Sequence, residues 1–78
     1  MAELLAYLAR ELVDDPEAVR VEQEERDGAF VLVLHVAEDD VGKVIGRQGR
    51  IARSLRTLVR ASAARDGRRV LVEIADPE

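Results

Sequence analysis

Leu4, Leu5, Leu8, Ala9 and Leu12 recur at three- and four-residue steps, with Glu3, Arg10 and Glu11 falling between them. That spacing predicts a helix over residues 2–13 with one apolar stripe. Asp14-Asp15-Pro16 ends it, because proline disfavours helical geometry at the residue before it. Val19 and Val21 then alternate with Arg20 and Glu22, and the alternation continues in polar form to Arg26, as expected of a half-exposed strand. Asp27-Gly28 supplies the positive φ values of a two-residue hairpin turn. The run from Ala29 to Ala37 is the most apolar of the chain, rich in valine and too short for a helix of ordinary length. It reads as the central strand, with Phe30, Leu32, Leu34 and Val36 toward the core and Val31, Val33 and His35 on the opposite face.

The second half changes period. A short helix is predicted over Val41 to Ile45, with the oxygens of Glu38-Asp39-Asp40 capping its first amides. Gly46-Arg47-Gln48-Gly49 follows as a tight loop, and a long helix runs from Arg50 to about Arg65. Ile51, Leu55, Leu58 and Val59 share one side of it, while Arg53, Arg56 and Arg60 share another. Asp66-Gly67 stops this helix, and Val70, Val72 and Ile74 alternate as a last strand. The order is α-β-β-α-α-β. A right-handed crossover sets the last strand parallel to the central one, and the hairpin sets the first antiparallel. An α+β fold follows, a three-stranded mixed sheet with its helices on one face, over one domain spanning residues 1–78.

Charge distribution alters what the net value suggests. The chain carries -4 overall, but residues 1–40 hold twelve acidic side chains against Arg10, Arg20 and Arg26, a net of -9. Residues 41–78 hold nine basic against four acidic, a net of +5, and no carboxylate lies between Val41 and Arg60. The positive charge therefore surrounds the glycine loop. Glycine lets a ligand's backbone approach bare amides, and the following helix turns the positive end of its dipole toward that place, so phosphate is the expected partner.

Other chemistries fit poorly. Cysteine is absent, His35 has no metal-ligating neighbours in the sequence, and Ser54, Thr57 and Ser62 lack a nearby base. No enzyme, cofactor or metal site is expected. The glycine spacing is not that of a P-loop, and Tyr7 and Phe30 are too few aromatics for recognition by successive base stacking. No apolar run approaches the roughly 20 residues that span a bilayer, and no signal sequence is evident, so a cytoplasmic location without membrane contact is expected.

Val44-Ile45-Gly46-Arg47-Gln48-Gly49, set in this element order, resembles the KH domain in its type II topology. The longer segment from Gly42 to Ala52, followed by Leu58-Val59, is similar to the KhpA family of small bacterial RNA-binding proteins. The resemblance covers essentially the whole chain. It implies a GxxG loop that clamps the backbone of about four unpaired nucleotides, whose bases lie in a groove between the flanking helices and a strand. On this chain Gly46 and Gly49 would permit close approach, Arg47 and Gln48 would face the sugar-phosphate chain, and Lys43, Arg50 and Arg53 would add phosphate contacts. Val44, Ile45 and Ile51 would form floor and wall. The resemblance further implies an RNA chaperone or post-transcriptional regulator, self-association, a second KH-containing partner of the KhpB (Jag) type, and a link to cell-envelope growth and cell shape. An oligomerisation or adaptor domain that has lost RNA is the alternative.

Overall fold

A computed structural model describes residues 1–76 of the chain, so Pro77 and Glu78, the last two positions of the expected domain, lie outside the described residues. The elements are α1 (Ala2–Leu12), β1 (Arg20–Arg26), β2 (Ala29–His35), α2 (Val41–Ile45), α3 (Arg50–Arg65) and β3 (Val70–Ile74). Single 3-10 turns occupy Pro16–Ala18, Glu38–Asp40 and Arg47–Gly49. This is the predicted α-β-β-α-α-β order.

The sheet runs β1-β2-β3, with β1 antiparallel and β3 parallel to the central β2. Arg26 pairs with Ala29 across the two-residue turn, where Asp27 and Gly28 both adopt positive φ. Strand parity then decides what is buried. Leu32 and Leu34 are wholly enclosed, Val70 and Val72 nearly so, and Phe30, Val36 and Ile74 pack at the margin of the same core. The helices close that face with Leu5 and Ala9 of α1, Val44 of α2, and Leu55, Val59 and Ala63 of α3. The other face carries Val31, which is only 1 % exposed because Glu24 and Leu71 flank it on the adjacent strands. Arg26–Glu24 at 2.5 Å, Arg20–Glu22 at 3.6 Å and a His35–Glu22 contact surround it on that face. Cross-strand side chains therefore cover this valine without a second layer.

Two expectations about helix faces need correction. Leu58 is 51 % exposed and Leu12 is 37 % exposed, whereas Ala6, which the leucine stripe passes over, is buried. Both leucines lie at the edge of an apolar arc wider than the contact strip beneath it. The arcs of α1 and α3 run on past the core and meet each other at the surface.

Candidate nucleic-acid interface

α2 ends where the Gly46 N–H donates to the Gly42 carbonyl at 2.9 Å. Gly46 then takes φ +75 and ψ 173, a region that essentially only glycine occupies. There is also no space for a side chain, since a Cβ at this position would lie 2.6 Å from Cγ1 and 2.9 Å from Cβ of Ile51. The bend thus brings the main chain directly onto the first turn of α3. The Gly49 N–H donates to the Gly46 carbonyl at 3.1 Å, closing a turn with Arg47 and Gln48 at its tip. Gln48 (φ 57, ψ 24) and Gly49 (φ 73, ψ 15) are both left-handed. A Cβ at Gly49 would meet no atom within 4 Å, so the surroundings of that glycine are open. No side chain caps α3. The Arg50 N–H donates to the Arg47 carbonyl, and the positive end of the α3 dipole is left facing the turn, where it favours an anion.

Arg47, Gln48, Arg50 and Arg53 are all exposed around this turn. An Arg50 Nη2 donates to Gln48 Oε1 at 3.2 Å, tying the tip to the helix start. Ile45 presents a partly open apolar surface beside the loop, and Ile51 is half-buried beneath Gly46. Among the described residues, none of the arginines from Arg47 to Arg69 is in an ion pair; the pairs formed involve Arg20, Arg26, His35 and Lys43. Among the described residues, then, Lys43 alone of the second half's cations is in an ion pair, and the arginines around the loop are not.

Two of the expected contacts are placed differently. Val44 is 0 % exposed and belongs to the core, so it supports the loop from beneath and has no surface for a ligand. Lys43 points its ammonium at Asp14 (3.0 Å) and Asp40 (3.2 Å), and these carboxylates, Asp14 foremost, raise its pKa above the usual lysine value.

Asp40 is where the capping expectation fails. It stands at the N-cap of α2 but makes no side-chain cap. Only 2 % exposed, it accepts the Asp15 N–H at 3.0 Å and the Lys43 ammonium instead, joining the α1–β1 connection to the helix that carries the glycine loop. Burial pushes its carboxyl up, but the main-chain N–H groups of Asp15 and Asp14 and the lysine outweigh this and hold it below the ordinary aspartate value. Asp40 and Asp15 are 25 positions apart, and no local spacing announces such a link. Among the described residues no group of His, Cys, Asp and Glu side chains is arranged to hold a metal ion, and no helix is long and apolar enough to cross a membrane.

The architecture defines the class: this is the type II KH fold. Its backbone superimposes on the crystal structure of Aquifex aeolicus Era Y63A bound to GDP.AlF4- with a TM-score of 0.64 and 21% identity, over 94% of this chain. The chain spans 28% of that longer protein, and the likeness is one of fold. At the level of sequence, the family model for the KhpA/KhpB KH domain matches residues 2–74. Proteins named RNA-binding protein KhpA are 54% identical in Treponema pallidum and 49% in Caldanaerobacter subterraneus, each over 95% of this chain and 92% and 99% of theirs. The Listeria monocytogenes protein of that name is 41% identical over 97% of this chain and its own whole length. The chain belongs to the KhpA/KhpB KH-domain family, which is not a family of enzymes.

Proposed function

We propose that the protein binds single-stranded RNA through the Gly46–Gly49 turn. The observation that carries this is the turn itself: main chain bent where no side chain fits, a following helix that no side chain caps, and a surround of arginines that form no ion pair among the described residues. Phosphates settle on the amides and on Arg47, Arg50 and Arg53, while Gln48 faces the sugar-phosphate chain. Gly46 and Gly49 permit the approach, and Ile45 offers apolar contact to a base. Lys43 acts as the strut between Asp14, Asp40 and α2, with a smaller share in holding RNA.

The family points to an RNA chaperone or post-transcriptional regulator in the cytoplasm, paired with a KhpB-type protein and serving cell-envelope growth and cell shape. Self-association is supported by the surface groove of about 390 Å³ between α1 and α3, lined by Leu8, Leu12, Ile51, Leu55 and Leu58. One clamp holding about four nucleotides is weak, and linking two multiplies affinity.

The test replaces Arg47 and Gln48 with Asp. Affinity for a short single-stranded RNA is expected to fall at least tenfold. Melting temperature should hardly change, since aspartate tolerates the left-handed conformation of position 48. For the unaltered protein, three to four phosphate contacts give a log-log salt slope of about −2 to −3. Equal binding by the variant, or no binding by the unaltered protein at low salt, refutes the clamp and leaves the adaptor role.

A further inference from the structure

Two shallow grooves run end to end between α1 and α3. In the first, of about 390 Å³, Glu11 and Leu12 of α1 share the lining with Arg50 and Ile51 of α3. In the second, of about 330 Å³, Leu4 of α1 stands with Ala61, Ser62 and Arg65 of α3, and Leu8 and Leu58 line both. The two helices are therefore antiparallel, and the joined groove follows α3 from Arg50 to Arg65, about 22 Å at 1.5 Å per residue. Its middle is apolar and its ends are charged.

One end of the groove is also part of the clamp. Arg50 lines the groove, and its Nη2 donates to Gln48 Oε1 at the tip of the glycine turn. Glu11 stands on the opposite wall at that same end. Both side chains are exposed, and neither is in an ion pair among the described residues.

These charges decide how a second copy can lie in the groove. Two face-to-face arrangements are symmetric about a two-fold axis in the interface. With the axis across the groove, α3 lies reversed on the partner's α3, and Arg50 comes opposite the partner's Arg65, like charge on like. With the axis along the groove, α1 lies on the partner's α3 and the ends keep their places. Leu8 then comes over the partner's Leu58, Leu12 over the partner's Ile51, and Glu11 over the partner's Arg50. Only this second arrangement sets opposite charges together, so complementarity selects it.

We infer that a second copy of the chain seats lengthwise in this groove and that its Glu11 takes Arg50 away from RNA, so that self-association and filling of a single clamp oppose each other. This rests on the RNA-binding reading and gives the self-association a second consequence. A strand long enough to join two clamps gains from the pair, whereas one that fills a single clamp must displace the partner's Glu11. By linkage, such an RNA weakens the dimer by the same factor as the dimer weakens the RNA.

The experiment measures the dimer of the full chain by sedimentation velocity, with and without a saturating five-nucleotide uracil RNA, which fills one clamp and leaves too little strand to reach another. An exposed ion pair is worth about threefold, and the dimer holds two, so RNA should weaken it about tenfold. Glu11→Gln should make the dimer indifferent to RNA, within twofold. Leu58→Asn removes apolar contact at the middle of the groove and should give a monomer. In that background Glu11→Gln should move RNA affinity by less than twofold, because Glu11 acts from across the interface; a larger effect places its action within one chain and overturns the inference. A dimer that RNA leaves unchanged or strengthens overturns it, and so does one that survives Leu58→Asn. A chain that binds the RNA but stays monomeric at millimolar concentration overturns it while the clamp stands. If the RNA does not bind at all, the RNA-binding reading falls and takes this inference with it.

Discussion

Replacing Gly46 with alanine tests the loop most directly. Two penalties combine in the folded state. The φ/ψ pair at this position is one that a residue with a Cβ enters only at a strain of about 1–3 kcal/mol. The added methyl would also overlap Ile51, and because Cβ and Cγ1 of that residue are involved rather than a free side-chain end, the turn and α3 must separate, adding about 1–3 kcal/mol. Stiffening the unfolded chain returns about 0.4–1 kcal/mol. The net loss is about 3 kcal/mol, a large fraction of the few to about 12 kcal/mol that a domain of this size has at 0.05–0.15 kcal/mol per residue. At about 4–8 °C per kcal/mol, the melting temperature should drop by at least 12 °C. Gly49→Ala is the internal control. It meets no atom within 4 Å and carries only the strain of a left-handed residue, about 1 kcal/mol. Urea and thermal unfolding followed by far-ultraviolet circular dichroism measure both. In an Ile51→Ala background the effect of Gly46→Ala should shrink, since the 2.6 Å approach to Cγ1 is removed, but not to the strain component alone, since the Cβ at 2.9 Å remains. If the two glycine variants differ by less than about 0.5 kcal/mol, the close approach of the bend to α3 is not what holds the loop.

Asp40→Asn should lower the melting temperature near neutral pH, because it removes a carboxylate that is favoured in the folded state. A depressed pKa means stability fully present above the unfolded value of about 3.9 and lost as pH falls through the lower folded value. The gap between variant and unaltered protein should therefore close in acid, and a gap constant from neutral pH down to pH 2 would contradict the assignment. Leu55→Ala should cost about 2–5 kcal/mol in denaturant unfolding, whereas Leu58→Ala, at a half-exposed position, should change stability by less than about 0.5 kcal/mol; similar losses would mean that Leu58 is packed within the monomer.

How far the sequence reaches follows from the range of the interactions involved. Strand alternation in β2 and β3, the Asp27-Gly28 turn and the bounds of α2 and α3 depend on near neighbours, and they are readable from neighbouring residues. The glycine pair and its arginines are contiguous as well. What escapes is set by contacts between distant parts. Periodicity gives the direction of an apolar arc but not its buried width, so Leu58 and Leu12 look like Leu55 and Leu5 until a neighbouring helix leaves them uncovered. An acidic residue before a helix is ordinarily a cap. Asp40 is diverted because Asp15 and Lys43 offer it three-dimensional partners. Arg56 shares its flank with Arg53 and Arg60, and only the strand beside it, whose Val72 carbonyl accepts from its Nε at 3.1 Å, distinguishes it.

The edge of β1 has a consequence for how copies of the protein meet. Apart from Val21, this strand is exposed along its length, and its sequence is close to a charge palindrome about Gln23. Two copies aligned antiparallel at that centre would set Arg20 against Arg26 and Glu22 against Glu24, like charge facing like at each of those pairs. Runaway sheet growth from this side is thereby resisted, which leaves the apolar helical side as the surface better suited to meeting another copy.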